Sequence, residues 1–484
     1  MSITGAFSNA LSGLTAASRA AELVSSNLAN AMTEGYGPRE LTLAANGGGS
    51  SGGVKVAGVS RRVDAALVSD LRFADASAAQ ARGVAEFYQQ LEQLIGQPGA
   101  AGDLTGRLTA FEADLVSAAS RPDSATRLTQ AAGSAIALVQ GLNAATQGLQ
   151  EIRQRAEDDI STQIASLNSN LQRVSKVNRM IVSTQRSDLN RATLEDQRQA
   201  LVDRISSMVP VRELPRENGA IALISSGGAL LLDGRAAELS FTQANVINAE
   251  MTQATGGLSG IHIDGVSIPT DAEYGAITGG TLGAAFMIRD DLAPRAQAQL
   301  DAMAQDLIER TQSGDVDSTL GIGDPGLFTD NGNRLIGSPH PGLAGRITVN
   351  SLADPAQGGA AWRLRDGLGA STPGLAGDGG KLGAMIDALN LRRPAPPAVP
   401  GATDGSAVAL ASEIGANFGS SRQRADTELS FAVAQHQGFH TRFLEQGVDS
   451  DAQMQKLLQI EQSYSANARV LQALDDMMQT LMRL

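Results

Sequence analysis

Apolar residues near the start of the chain recur with alternating steps of four and three: Ile3, Phe7, Ala10, Leu14, Ala17, Ala21, Val24, Leu28 and Ala31. That spacing puts them on one stripe of a helix, as in a coiled-coil seam. The other end repeats the pattern, with Leu457, Ile460, Tyr464, Asn467, Leu471, Leu474, Met478 and Leu481 at the two seam positions. A helix cannot bury its own seam. The two ends are therefore expected to pair with each other, with further copies of the chain, or with both. Asn467, polar within an apolar stripe, is a candidate for setting the register.

The pattern between the ends predicts a mainly helical chain with β-rich insertions. Gly35, Gly37 and Pro38 stop the first helix, and 46–53, almost wholly Gly and Ser, reads as a flexible loop. Val54, Val56 and Val59 suggest a short extended piece. Val63, Leu67 and Leu71 then open a helix that runs to Leu94, and 104–119 forms another. The longest periodic signal is interrupted softly at Gly133, Gly141 and Gly148 and runs on through Ile160, Leu171, Ile181 and Leu201 to Met208. A continuous helix over 149–208 would be about 90 Å long at 1.5 Å per residue, longer than a globular core can wrap, so a rod-like bundle is expected.

Texture changes to short apolar pieces and turns over 211–278, where Asp233-Gly234 and Asp264-Gly265 are hairpin signals. Helix returns over 281–312. The stretch 313–401 is rich in Gly, Asp and Pro, with strand-like pieces at 346–349 and 362–364, and closes on a stiff Pro-rich run at 393–400. A last helical pattern covers 407–444 before the terminal seam. The expected division is a terminal assembly domain (1–55 and 447–484), a long bundle (56–209, 279–312 and 402–446), a β-rich insertion (210–278) and a Gly/Pro-rich second insertion (313–401). The whole is an elongated multi-domain chain with its terminal helices paired.

Composition narrows the partners. The 484 residues carry a formal net charge of −13, which repels a phosphate backbone, so nucleic acid is excluded as a partner. Cysteine is absent, which removes disulfides and thiolate chemistry. The first charge is Arg19, without a basic segment ahead of an apolar run, so no cleavable secretory signal is expected. No run of about 18 apolar residues predicts membrane insertion.

The motif Ala10-Leu11-Ser12-Gly13-Leu14, followed by Ser26-Asn27-Leu28-Ala29-Asn30, Thr33 and Gly35-Tyr36, resembles the N-terminal signature of the flagellar rod, hook and hook-associated protein family. The run from Met454 to Leu481, with Gln462, Tyr464 and Ala468-Arg469-Val470, is similar to that family's terminal helix. Leu194-Glu195-Asp196-Gln197-Arg198, and Gly279-Gly280-Thr281-Leu282-Gly283 with Arg289-Asp290, resemble stretches of its hook-associated branch. The resemblance implies a structural subunit at the junction of hook and filament, exported uncleaved through the flagellar apparatus. It also implies as partners other copies of itself, hook protein, a second junction protein or filament subunit, and an export chaperone. A hook or rod subunit, and a secreted enzyme carried on flagellar-type ends, are the alternatives. The expected assembly residues are Phe7, Leu14, Val24, Asn27, Leu28, Asn30, Leu457, Ile460, Tyr464, Leu471, Leu474, Met478 and Leu481. Both termini are expected to be mobile in a free monomer, because an alanine-rich seam buries little area against the cost of ordering it.

Chemistry elsewhere is sparse. His436 and His440 stand at i, i+4, but a zinc peptidase needs Glu where Gln437 stands. Asp315, Asp317 and Asp324 miss the calcium-loop template and read as a solvated turn. Gly279-Gly280 opens a helix without the Lys-Ser or Lys-Thr of a phosphate loop. No serine sits in a nucleophile elbow. Neither a catalytic residue, a cofactor site nor a metal site is nominated.

Overall fold

The computed structural model describes residues 3–33, 36–46, 52–97, 99–100, 102–185, 189–270, 275–337 and 340–483. Glu34 and Gly35 of the expected helix stop and most of the Gly/Ser loop lie outside them. The first helix, α1 (Ile3–Ala29), leads into an antiparallel hairpin, β1 (Arg39–Ala45) and β2 (Val54–Arg61). Three helices follow, α2 (Ala65–Ile95), α3 (Leu104–Ser120) and α4 (Ala125–Ser183), and then α5 (Leu189–Met208). Side chains cap the starts of the first three: Asp64 accepts from the amides of Ala66 and Leu67, Asp103 from Gly106 and Ser124 from Arg127.

The spine is α4, 59 residues long, about 90 Å at 1.5 Å per residue. The expected helix over 149–208 is corrected at both ends. It begins far earlier, because Gly141 and Gly148 are places of close approach and not breaks; a Cβ on Gly148 would lie 2.3 Å from Leu94. It also ends at Ser183, where the Thr184 hydroxyl bonds back to the Met180 carbonyl at 2.7 Å. The chain then reverses, and α5 packs back on α4. No Gly or Pro marks that reversal, so apolar periodicity alone ran straight through it.

Strands β3 (Val211–Pro215), β4 (Ile221–Ser225), β5 (Leu230–Asp233) and β6 (Arg235–Ala236) form one antiparallel sheet. A second holds β7 (Leu239–Ser240), β8 (Ile261–Ile263) and β9 (Val266–Ile268). The Asp264-Gly265 turn joins the last two with both residues at positive φ, as a tight hairpin requires. Next come α6 (Gly280–Met287), a π turn over Ile288–Leu292, and α7 (Ala293–Thr311). Pro294 cannot donate a helical bond, and the π turn accommodates it while pointing Arg289 inwards. Arg289 is fully buried, paired with Glu157 at 2.5 Å and Asp290 at 2.7 Å. Beside it, burial pulls the Arg153 guanidinium down to about 10, still charged at neutral pH. Arg153 donates to the carbonyls of Arg289, Asn248 and Met251, locking the 248–251 loop to the spine.

The segment 313–401, expected as a separate insertion, shares its core with the helices. Leu327, Phe328, Leu343, Ile347 and Leu364 are buried in one cluster with Phe111 of α3, Leu142 of α4 and Leu307 of α7. It holds a two-stranded pair, β10 (Phe328–Asp330) and β11 (Ile347–Val349), around a turn of helix α8 (Leu343–Arg346), and then two helices, α9 (Arg363–Asp366) and α10 (Gly380–Asn390). The expected strand at 362–364 is thus a helical turn, and α10, with its four-residue apolar steps, was absent from the sequence reading. The expected solvated aspartates divide: Asp317 is buried and accepts from the Leu368 amide at 2.7 Å, while Asp315 and Asp324 stay exposed in their own turns. Finally α11 (Ala407–Glu445) runs along α2, and α12 (Ser450–Met482) pairs with α1. Two cores lie along α4, one around its first half and one joining its second half to α5, α6 and the small sheets. No described helix is long and apolar enough to cross a membrane.

Candidate functional site

The terminal pair stands outside both cores. Its helices are antiparallel: Gly13 faces Asn467, and two heptads further along α1 Asn27 donates to Gln453, two heptads back along α12. A Cβ on Gly13 would lie 2.9 Å from the Asn467 amide, so this glycine lets the helices cross closely. Asn467 itself donates back to the Ser463 carbonyl at 2.9 Å.

The seam is narrow. Ala10, Ala17 and Val24 of α1 are buried, whereas Leu474 is the one buried residue among those described on α12. Leu14, Leu457, Ile460 and Leu471 are half-buried across it. Phe7 (40 % exposed), Leu28, Tyr464, Met478 and Leu481 (58 %) remain largely in water, joined by Leu11, Leu458 and Met477, which the heptad reading did not single out. Beside its narrow seam, the pair thus keeps a set of large apolar side chains in contact with water.

The polar motif residues have a separate task. Asn27 is 1 % exposed. Its Oδ1 accepts from the Arg39 amide and the Tyr36 hydroxyl, each at 2.9 Å, while its Nδ2 donates to the Arg39 carbonyl at 2.9 Å and to Gln453 at 3.3 Å. One side chain thus holds the turn after α1, the start of β1 and the first turn of α12. Asn30 closes the end of α1 by donating to the Ser26 carbonyl at 2.8 Å.

The internal motif joins this unit to the body. Asp196 of α5 accepts from Arg61 at 2.6 Å and Arg39 at 3.1 Å, and Arg39 lies over the Tyr36 ring at 5.0 Å. Two residues on, Arg198 faces the other way and donates to Asn178 of α4 and to the Gly219 carbonyl at 2.7 Å. The motif is legible by likeness, but these roles are not, because the partners of Asp196 lie more than a hundred residues away and those of Arg198 lie on other elements.

Other candidate chemistry resolves into packing. The His436 and His440 rings stack at 5.8 Å, with Asp75 3.8 Å from His436, and among the described residues no set of three ligands surrounds a metal position. Gly279-Gly280 is pressed against Met208 and Pro210, with a would-be Cβ on Gly280 only 2.4 Å from the Met208 carbonyl oxygen.

Comparison with known proteins places similarity along the same elements. The model described as "Flagellar hook-associated protein FlgK helical domain" matches residues 88–314. "Flagella basal body rod protein" matches 7–36, and "Flagellar basal body rod FlgEFG protein C-terminal" matches 443–484. A protein of Bacillus subtilis named "Flagellar hook-associated protein 1" is 24 % identical over 377 residues, 70 % of this chain and 73 % of that one. The protein of the same name from Salmonella typhimurium is 27 % identical over 239 residues, 47 % of this chain and 42 % of its own length. A structure of "the flagellar hook junction protein FlgK from Burkholderia pseudomallei" aligns with TM-score 0.44 and 22 % identity, covering 54 % of this chain and 46 % of that one.

Proposed function

We propose that this chain, a member of the flagellar rod, hook and hook-associated protein family, is the hook-associated subunit that joins hook to filament. It polymerises through its terminal helices into a ring at the distal end of the hook. The observation that carries the reading is the α1–α12 pair: it closes on itself through one narrow seam and leaves large apolar side chains, Phe7, Leu28, Leu458 and Leu481 among them, in water. Neighbouring copies that cover those faces gain roughly 25 cal/mol for each Å² of apolar area removed from solvent.

Under this reading the expected assembly residues divide by role. Phe7, Leu28, Tyr464, Met478 and Leu481 meet other subunits. Leu14, Val24, Leu457, Ile460, Leu471 and Leu474 hold the pair together, and Asn27 and Asn30 shape its connection to β1. The helices and small sheets between form the wall and outer surface of the ring. Hook protein lies on one axial side and a second junction protein or the filament subunit on the other. The subunit leaves the cell through the flagellar export apparatus, with a chaperone covering the terminal helices on the way. Its work is mechanical, and no enzymatic step is assigned to it.

Electron microscopy of cells lacking this chain, with an assay of filament subunit in the medium, tests the reading. Hooks without filaments, and subunit lost to the medium, are expected. Missing hooks would move the chain to the rod or hook, and normal filaments would overturn the reading.

A further inference from the structure

We infer that Asp196 is a latch that fixes the angle of the terminal helix pair against the helical body, and that assembly requires this angle to be fixed. The second half rests on the function proposed above; the first stands on geometry alone.

The terminal unit consists of α1, α12 and the β1–β2 hairpin, and its residues belong to neither large core. Two chain crossings tether it, 62–64 and 446–449. The hairpin has hardly any core of its own, since only Gly58 of its two strands is buried, and an isolated two-stranded hairpin is marginal in water. The hairpin's own core therefore does little to hold its orientation, and polar contacts at one place on α5 join it to the body. Asp196 takes Arg61 on Oδ1 and Arg39 on Oδ2, with the Gly37 amide also on Oδ1 at 3.4 Å. Thr193 and Gln199, flanking it on the same helix, accept further bonds from Arg39 and Arg61.

The contacts continue on both sides. Arg39 is held by Asn27 through its own amide and carbonyl, and Asn27 reaches Gln453 of α12. On the body side, α5 is fixed to α4 by Arg198 on Asn178. A single line of hydrogen bonds thus runs from α12 through α1 and β1 to α5 and α4, and Asp196 is the carboxylate at its crossing from terminal unit to body. The side chains of Arg39, Arg61 and Asp196 are all less than one-fifth exposed. They form a shielded cluster with defined geometry, unlike a screened surface pair. Subunits in a closed ring must present their surfaces at one repeated angle, and a terminal pair free to swing would not.

The chain has no cysteine, so two introduced cysteines give unique label sites. Spin labels at Gln462→Cys on α12 and Arg204→Cys on α5 report the angle by double electron–electron resonance in the isolated chain. The expected result, read on the ordered fraction of the terminal pair, is a distance distribution that Asp196→Ala broadens at least twofold and Asp196→Asn less, with the unfolding midpoint of the body unchanged. Should Asp196→Ala unfold α5, the double variant Arg39→Gln, Arg61→Gln reads the same latch from the other side and must broaden the distribution equally. Unchanged distances in both variants would overturn the latch. In a strain lacking the native chain, Asp196→Ala is expected to restore swimming at least tenfold less than the unaltered chain; broad distances with full swimming would overturn the requirement for assembly. Failure of the unaltered chain to restore filaments would instead count against the function proposed above.

Discussion

At the scale of single residues, buried polar groups carry most of the specificity. Asn27 satisfies both backbone groups of Arg39 and the Tyr36 hydroxyl, so Asn27→Ala leaves three partners without their bonds in a site almost closed to water. The expected cost is about 1–3 kcal/mol, confined to the terminal unit. Amide exchange at Arg39 should accelerate while exchange at Leu91 in the body does not change. Asp301 makes a different kind of test. Burial pushes its carboxyl above the ordinary carboxylate value, against the opposing pull of the Ala344 and Gly342 amides and of Gln297. The folded chain therefore holds this proton at pH values where the unfolded chain has lost it. Its contribution to stability is full below the unfolded value of 3.8 and declines as pH rises through the raised folded value. Asp301→Asn removes that titration. Whatever constant offset the amide introduces, the unfolding midpoint of the variant relative to the parent should rise as pH increases through the range just above 3.8; a flat difference would show that Asp301 does not titrate there.

Elements are joined at points where the backbone has no room to change. Gly280 opens α6 with φ of +64°, and a Cβ added to it would run into the Met208 carbonyl. A methyl group there is excluded twice, by conformation and by backbone contact, so Gly280→Ala should destabilise the second core by more than 1–2 kcal/mol. Thermal unfolding, with Gly314→Ala as a control at an exposed position where an added Cβ meets nothing, measures the difference. The long helices were legible in the sequence because each keeps an apolar stripe at helical spacing, as Leu108, Phe111, Leu115 and Ala118 do in α3, whereas the short α9 and α10, set among Gly-rich turns, were not. The terminal seams and the Asp-Gly hairpin at 264–265 were legible for similar local reasons. What could not be read was non-local. The reversal after Ser183 depends on Asn178 finding Ile221 and Arg198, and the burial of 313–401 depends on a core shared with α3, α4 and α7. Strand β1 escaped notice because its own side chains are almost all exposed and its order comes from β2 and Asn27.

For the whole molecule, the large packed cores and the exposed apolar faces of the terminal pair lie in separate places. The body has two cores along α4, each closed by buried ion pairs or capped helices. The terminal pair has one narrow seam in which Val24 and Leu474 are the well-buried large residues among those described. Such a seam buries little large apolar area for two long helices that must be ordered. The pair is thus near the limit of stability by itself, and covering its outer faces shifts it towards order by mass action. Two variants separate these terms. Leu474→Ala opens the seam and should cost about 2–4 kcal/mol, with faster amide exchange at Leu14 and Leu471 in a dilute monomer. Leu458→Glu changes an outer position that is 58 % exposed, so monomer exchange should be unaltered, while polymerisation, followed by light scattering as concentration is raised, should be lost. A variant at Leu458 that still polymerises would place the contact on another face of the pair. Strong protection at Leu14 and Leu471 in the unaltered dilute monomer would show the seam to be stable alone, so that ordering the helices would contribute no part of the free energy of assembly.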